Sequence, residues 1–176
     1  MSGTDTSDWR PRVGDREISL LRVVTLVCGL GLLGSYLLPW VDIVDAVVPA
    51  GEDGGLPDPD RIAAQGETTE GTIAATELTV YPEIVLSLGV LALGLALVGW
   101  HRWIHVGVVL VGFAGTGVGL VMREVLRAEE TIIEIGPYVG HSSAFEPGIG
   151  IWLVIALSIL LINVGAAAAL LTLDER

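Results

Sequence analysis

The histidines come closest to a chemical motif, because His101 and His105 lie four residues apart and would share one face of a helix. Two imidazoles on one face can begin a zinc site, which needs a third and usually a fourth ligand. No Cys or further His lies in that part of the sequence, and a membrane haem would need paired axial ligands. In the alternative interpretation, these residues and Arg102 form a turn at the membrane surface beside Trp100 and Trp103. We expect neither a metal nor another cofactor.

Acids that follow the first apolar segment could offer oxygen ligands to Ca²⁺, but the EF-hand spacing is absent and a solvated acidic surface explains them. They are Asp42, Asp45, Glu52, Asp53, Asp58 and Asp60. His141 lies beside two serines, but neither a triad nor a nucleophile-elbow sequence surrounds it. The single cysteine, Cys28, lacks the small preceding residue of a lipoprotein site and is predicted to be a buried thiol. We therefore expect no catalytic residues and no enzyme activity.

The elements that position these residues are four apolar segments, at about 20–40, 83–100, 104–122 and 149–173. Each is long enough, or nearly so, to cross a hydrocarbon core about 30 Å thick at about 1.5 Å per residue. Residues 1–18 and 174–176 form polar ends. The basic flank of the first segment resembles a signal peptide, but no small-x-small cleavage site follows, so we expect a retained helix. The sequence predicts an all-α membrane protein, an antiparallel four-helix transmembrane bundle.

The net charge of −12 lies on one side of these segments. The N-terminal tail, the turn at 101–103 and the C-terminal end hold six Arg and six acids, whereas the other two connections hold fifteen acids and three Arg. Because arginines favour the cytoplasmic side, we expect cytoplasmic termini and loops 41–82 and 123–148 outside a cell membrane. Nine Arg without Lys on an acidic chain are typical of a salt-in halophile such as a haloarchaeon, although a GC-rich genome also favours Arg. The charge argues against nucleic acid as a partner.

Small residues recur at spacings of three and four along the apolar segments, which lets helix backbones approach closely in lipid. The predicted helix-packing residues are Gly31, Gly89, Gly115, Gly119, Asn163 and Gly165. Asn163 is expected to find a hydrogen-bond partner across a helix interface, with a substrate or ion path as the alternative. Tryptophans near the segment ends are predicted to anchor them at the membrane surface. These anchors are Trp40, Trp100 and Trp103.

Outside the spans, the first connection is rich in β-branched residues at 42–48 and 71–81. Proline and an acid predict helix starts at Pro82–Glu83 and at Glu146–Pro147. The third helix is expected to continue beyond Met122 towards residue 130, and residues 131–135 have the composition of a strand. We predict one small extracellular antiparallel β cap, built from residues of about 42–81 and 131–135.

Four spans, cytoplasmic termini, a β-rich first outer loop and an overshooting third helix resemble the architecture of claudin-like tetraspan proteins. The first loop of that family carries a Trp, a Gly-Leu-Trp stretch and two Cys, of which only Trp40 has a counterpart here, so the resemblance is architectural. The strings LLPWV at 37–41 and PGIGI at 147–151 are similar to those of small prokaryotic four-span proteins. In those proteins Pro-Trp closes the first helix and Gly-x-Gly opens the fourth. The resemblance implies no activity.

We expect a non-enzymatic integral membrane protein with a structural, assembly or cell-surface interaction role through its acidic outer cap. Its expected partners are the lipid bilayer and either a membrane or cell-surface protein or a second copy of the chain. One alternative is a small channel or transporter subunit, in which Asn163 and the glycine stripes would line a path. A less favoured alternative is a membrane enzyme or metal-binding protein that uses His101 and His105.

Overall fold

In a computed structural model of the chain, the described residues are 13–49, 67–68, 71–98, 102–127 and 132–174. Their helices are α1 (Val13–Ser35), α2 (Tyr81–Leu97), α3 (Arg102–Arg127) and α4 (Ile149–Asp174). Their strands are β1 (Pro39–Ile43), β2 (Ala46–Pro49), β3 (Glu67–Thr68), β4 (Gly71–Ala74), β5 (Ile132–Ile135), β6 (Tyr138–His141) and β7 (Phe145–Pro147). The described part of the chain is mostly helical and carries small antiparallel sheets, which confirms the prediction at that level.

The four helices pack as a ring in which α1 and α3 each contact both α2 and α4. The contact between α3 and α4 is the most extensive. Strand β1 follows α1, β4 precedes α2, β5 follows α3 and β7 precedes α4, so the described strands gather at one end of the bundle. Successive helices therefore run in opposite directions, and the strands form a cap over that end.

Two of the helices, over Trp103–Arg127 and Ile149–Leu171, are long and apolar enough to cross a membrane. The segments Leu20–Ser35 and Tyr81–Leu97 are shorter apolar helices. The first predicted span was too long, because α1 ends at Ser35 and the chain then enters β1. Three successive i to i+3 hydrogen bonds, the last from Leu38 N–H to the Ser35 carbonyl at 3.2 Å, tighten the end of the helix. Pro39 then favours extended backbone at the residue before it.

The described strands form two sheets instead of the single predicted one, with orders β4-β1-β7 and β3-β2-β6-β5. Ile132–Ile135 is a strand as predicted, but it pairs with β6, and it makes no ladder with the described strands of the first outer connection. Gly136 closes this hairpin with a φ of 57°, a backbone conformation that favours glycine. Strands β6 and β7 were not predicted because their sequences, YVGH and FEP, are short and lack a β-branched run.

Helix α2 begins close to the predicted position, with Pro82 and Glu83 in its first turn. The residue before the helix, Val80, has φ 71° and ψ −66°. The Tyr81 N–H donates to the Thr79 carbonyl at 2.9 Å, which closes a γ-turn around Val80. A positive φ is sterically unfavourable for a β-branched residue, so the start of α2 carries backbone strain.

The other end of α2 is held by α1. Arg22 Nε donates to the Ala96 carbonyl at 3.1 Å, and Arg22 Nη2 lies 3.4 Å from the Leu97 carbonyl. A cation at a helix C-terminus satisfies open carbonyls and complements the helix dipole.

Helix α3 continues beyond Met122 to Arg127, as predicted, and residues 128–130 lie outside the described part of the chain. Helix α4 begins at Ile149, so the predicted start at Glu146–Pro147 was wrong. Residues Phe145–Pro147 pair with β1 in an antiparallel ladder instead, which holds them in extended conformation up to the helix start.

Candidate functional site at the junction of cap and bundle

A cleft of about 1060 Å³ lies where the β cap meets the helix bundle. We call it the junction cleft. It is lined by the end of α3, by β5, by the segment from β6 through β7, and by the first turn of α4. The lining residues are Leu126, Arg127, Ile132, His141, Ser142, Ser143, Phe145, Glu146, Pro147 and Trp152.

The walls of the junction cleft combine apolar and charged side chains. Leu126 and Phe145 are each 2% exposed and belong to the hydrophobic core, so packing fixes the apolar wall. Arg127 and Glu146 are exposed and face water. Apolar walls with a few polar groups are typical of small-molecule pockets. The junction cleft is therefore suited to a molecule with an apolar part and a charged part.

Arg123 adds a second cation beside the junction cleft. Its guanidinium carbon lies 5.6 Å from the ring centroid of Trp152, within cation–π range. Its Nη1 also lies 3.5 Å from Glu124 Oε1. Because the Glu124 carboxylate is largely exposed, this ion pair contributes little to stability. Arg123 and Arg127 are four residues apart on α3, so they lie on the same side of the helix.

The junction is held together by Trp40, whose predicted role as a membrane-surface anchor was wrong. The indole is 1% exposed, and its Nε1 donates to the Ser35 carbonyl at 2.9 Å. The Gly148 N–H donates to the Trp40 carbonyl at 2.8 Å, and a Cβ added to Gly150 would lie 2.6 Å from the indole Nε1. The strings LLPWV and PGIGI therefore meet in space. Because β1 turns the chain over the bundle end, the indole packs inward at the start of α4.

The described residues among those considered for metal binding are not gathered into a site. His105 is 1% exposed inside the bundle, and His101 lies outside the described residues. A turn at the membrane surface formed by these residues stays a prediction. Asp42 and Asp45 belong to the cap, and the other four acids of that set also lie outside the described residues. Within the described ranges, no group of three or more His, Cys, Asp or Glu could hold a metal ion. Cys28 is free and buried.

The segment His141–Ser143 lines the junction cleft, which sequence reasoning missed. His141 ends β6, Ser142 is 3% exposed at the start of a 3-10 turn, and Ser143 is exposed. The signal that could have found this place is charge, because Arg123 and Arg127 are two of only three arginines in the acidic outer connections.

Asn163 does not pack against another helix of the bundle, so that prediction was wrong. Its side chain is exposed, and its Nδ2 donates to the Ile159 carbonyl of the same helix at 2.8 Å. The polar residue of α4 that does face a neighbouring helix is Ser158, which is 0% exposed and lies against Gly115 of α3. The sequence does not distinguish the two faces because α4 is apolar on all sides.

The five predicted glycines all lie where helices touch. A Cβ added at any of them would come within 3.0 Å of a side chain on a neighbouring helix. The pairs are Gly31 with Leu157, Gly89 with Leu33, Gly115 with Ser158, Gly119 with Ile155 and Gly165 with Val109. Backbone approach at these positions therefore depends on the missing side chain.

Of the two remaining predicted anchors, Trp103 lies at the end of the bundle opposite the cap. Trp103 is 70% exposed in the first turn of α3, and Trp100 lies outside the described residues. Anchoring by these two tryptophans stays a prediction.

The chain was compared with known protein families, with curated proteins and with solved structures, and it matches none of them. Its function is therefore argued from the geometry of its own residues.

Proposed function

We propose that this chain is a non-enzymatic integral membrane protein that crosses the bilayer four times and has a structural, assembly or cell-surface interaction role through its cap. One observation carries the proposal: each of the four helices exposes large apolar side chains on the outside of the bundle. They are Leu20, Val23, Val27 and Leu30 on α1; Ile84, Leu86, Val90, Leu91 and Leu97 on α2; Val106, Leu110, Phe113, Leu120 and Val121 on α3; and Trp152, Ile159, Leu160 and Leu170 on α4.

So many large apolar side chains on the outside of the bundle are the opposite of what is expected for a protein surface in water. A water-soluble protein rarely exposes a contiguous apolar surface of more than a few hundred Å². Here large apolar side chains surround the ring of helices as well as filling its core, and glycines lie at the closest contacts between the helices. Hydrocarbon as the surrounding solvent explains both the outer surface and the small residues inside.

The two shorter helices fit the same proposal. Helix α2 has 17 residues, at the lower end of the range of about 17–25 for membrane spans. Helix α1 has 23 residues, although it carries charged residues in its first half, including Arg22. A long arginine near a span end reaches the polar surface, and the bilayer thins to accommodate a short span. All four helices, and not only the two longest, are therefore proposed to cross the membrane.

The arginine distribution supports cytoplasmic termini and a cap on the outer surface. The cap carries exposed carboxylates on both sheets and their connections. These are Asp45, Glu77, Glu134 and Glu146, and Glu83 in the first turn of α2 is exposed as well. Complementary charge selects partners and speeds their encounter, so the cap is suited to the basic surface of another membrane or cell-surface protein.

The alternative functions have less support. A channel would need polar residues along a path inside the bundle, but Asn163 is exposed on the outside and the glycine stripes are filled by neighbouring side chains. An enzyme or metal protein based on His101 and His105 would need an accessible site, but His105 is 1% exposed.

Cysteine accessibility tests the four-span topology. In a chain with Cys28→Ala, single cysteines are introduced by Thr76→Cys and Glu134→Cys in the cap and by Asp174→Cys at the end of α4. A membrane-impermeant maleimide applied to intact cells should label the two cap positions, and should label position 174 only after permeabilisation. Labelling of position 174 in intact cells together with the cap would contradict a membrane crossing by α4, and with it the four-span topology.

The interaction role is tested by photo-crosslinking in intact cells. A photoreactive residue at Glu134 should give discrete protein adducts, and one at the bundle-surface residue Leu110 should give lipid adducts. Charge reversal of the neighbouring acid, Glu77→Lys, should reduce the Glu134 adducts if a basic partner surface binds the cap. Equal adduct patterns at positions 134 and 110 would refute a cap-specific partner.

A further inference from the structure

The junction cleft lies at the boundary between the apolar bundle surface and the charged cap. Val121 and Val125 of α3 and Ile149 of α4 are exposed apolar residues next to it, whereas Arg127 and Glu146 line it with charge. A membrane whose hydrocarbon surrounds the helices would therefore place lipid head groups at the level of the junction cleft. This step rests on the four-span function proposed above.

The junction cleft also collects positive charge in a region that is otherwise acidic. The outer connections hold fifteen acids and three arginines, and two of those arginines are Arg123 and Arg127. Cations stabilise the C-terminus of a helix, and this accounts for part of their placement. It does not account for their position at a cavity, which Arg127 lines and beside which Arg123 lies over the Trp152 ring.

Within the described residues, the Arg127 guanidinium forms neither an ion pair nor a hydrogen bond. Arginine is suited to phosphate because its planar donors can bind two oxygens at once. His141 and Ser143 line the same cleft and supply further donors. One carboxylate, Glu146, also lines the junction cleft. Because the arginine attracts an anionic head group and the carboxylate repels it, binding should depend on the charge of the head group.

We propose that the junction cleft binds an anionic phospholipid, with its phosphate at Arg127 and its apolar chain against Trp152 and the buried wall of Leu126 and Phe145. The volume of about 1060 Å³ accommodates a head group and the first part of a chain. Exposed apolar side chains on the same two helices, among them Val125 and Ile149, let the rest of the chain continue along the bundle surface. A protein partner fits less well, because the walls are concave and one side faces lipid.

The experiment uses the full chain, purified in a neutral detergent and stripped of lipid, with tryptophan quenching by brominated lipids as the readout. Brominated phosphatidylglycerol should quench the fluorescence lost in a Trp152→Phe variant, and brominated phosphatidylcholine should do so only at much higher concentration. Arg127→Gln should weaken phosphatidylglycerol binding about tenfold or more, since it removes a hydrogen bond between charged groups. Equal binding of the two lipids would overturn the proposal.

A matched pair of carboxylate variants keeps the proposal testable if Arg127→Gln does not fold. Glu146→Gln removes the carboxylate of the cleft and should tighten phosphatidylglycerol binding about threefold, consistent with the loss of one nearby like charge. Glu134→Gln makes the same chemical change on β5, outside the cleft lining, and should leave binding unchanged. The same response from both variants would overturn the proposal, because the effect would then come from overall charge.

Inorganic phosphate distinguishes a lipid site from a site for a soluble anion. Phosphate at millimolar concentration should not displace the lipid, because it lacks the apolar chain; displacement would overturn the lipid assignment. These measurements are made in detergent, so their failure leaves the four-span topology to be decided by cysteine labelling. Conversely, a chain with a different topology would fail the cysteine-labelling test, and the lipid-binding measurement would not depend on that result.

Discussion

Replacing Gly150 with alanine should loosen the joint between cap and bundle. The added Cβ would lie 2.6 Å from Trp40 Nε1 and 2.9 Å from the Pro39 carbonyl oxygen. Real Cβ contacts are essentially never shorter than 3.0 Å, so either the indole or the start of α4 must move. The indole has no free space because it is 1% exposed and its Nε1 is hydrogen-bonded to the Ser35 carbonyl.

The free energy of unfolding should fall by about 0.5–4 kcal/mol. Overpacking a well-filled site costs about 1–3 kcal/mol. Loss of the hydrogen bond between the indole and Ser35 adds about 0.5–1.5 kcal/mol. The higher helix propensity of alanine offsets about 0.5–1 kcal/mol of this loss. At about 2–4 °C per kcal/mol for a chain of this size, the melting temperature should drop by several degrees.

The assay is thermal unfolding of the purified chain in detergent, followed by near-ultraviolet circular dichroism, which reports the tryptophan environment. Gly117→Ala is the matched control, because it makes the same change within α3 at a position where an added Cβ meets nothing within 4 Å. The control should melt at the wild-type temperature or slightly above it. If Gly150→Ala and its control melt together, the packing argument for Trp40 is refuted.

Four further predictions follow from other parts of the molecule. Val80→Gly should raise the free energy of unfolding by about 0.5–2 kcal/mol, because glycine relieves the strain at φ 71°; a lower melting temperature would contradict it. Asn163→Leu should change stability in the purified, detergent-solubilised chain by no more than about 0.5 kcal/mol, since the amide bonds only its own helix; a larger loss, seen by thermal melting, would mean that Asn163 packs against protein. Arg22→Gln should lower the free energy of unfolding by about 1 kcal/mol, because it removes the cation from the C-terminal end of α2. The Val98 N–H, which donates to the Gly94 carbonyl, should then exchange faster; an unchanged exchange rate would contradict this role of Arg22. Raising KCl should raise the melting temperature, because salt screens repulsion among the acids of a chain with net charge −12; a falling temperature would contradict the halophile interpretation.

Much of the architecture could be predicted because it depends on local features of the sequence. Apolar runs located the four helices, the Pro82–Glu83 pair located the start of α2, and the β-branched run at Ile132–Ile135 located β5. The small residues indicated helix contacts because two helix backbones can approach closely only where the side chains between them are small, as at glycine.

The rest could not be predicted because it depends on which surfaces meet after folding. A tryptophan after an apolar run is typical of a membrane anchor, but whether Trp40 turns inward depends on the path of β1 and on Gly150 in another part of the sequence. Asn163 and Ser158 lie on different faces of a helix that is apolar on all sides, so periodicity does not separate them. The junction cleft brings together the end of α3 and the start of α4, and no local motif announces that combination.

The pairing of β1 has a consequence for the order of assembly during synthesis. This strand lies directly after the first helix, yet one of its two partners, β7, directly precedes the last helix. Until the residues of β7 have left the ribosome and reached the same side as β1, one edge of β1 has no partner and can pair with another chain. A chain truncated before residue 145 should therefore be aggregation-prone even when its first three helices are in place. Strand β7 is therefore the last strand to be added to the sheet of β1. Its pairing connects the residues that follow the first helix with those that precede the last helix.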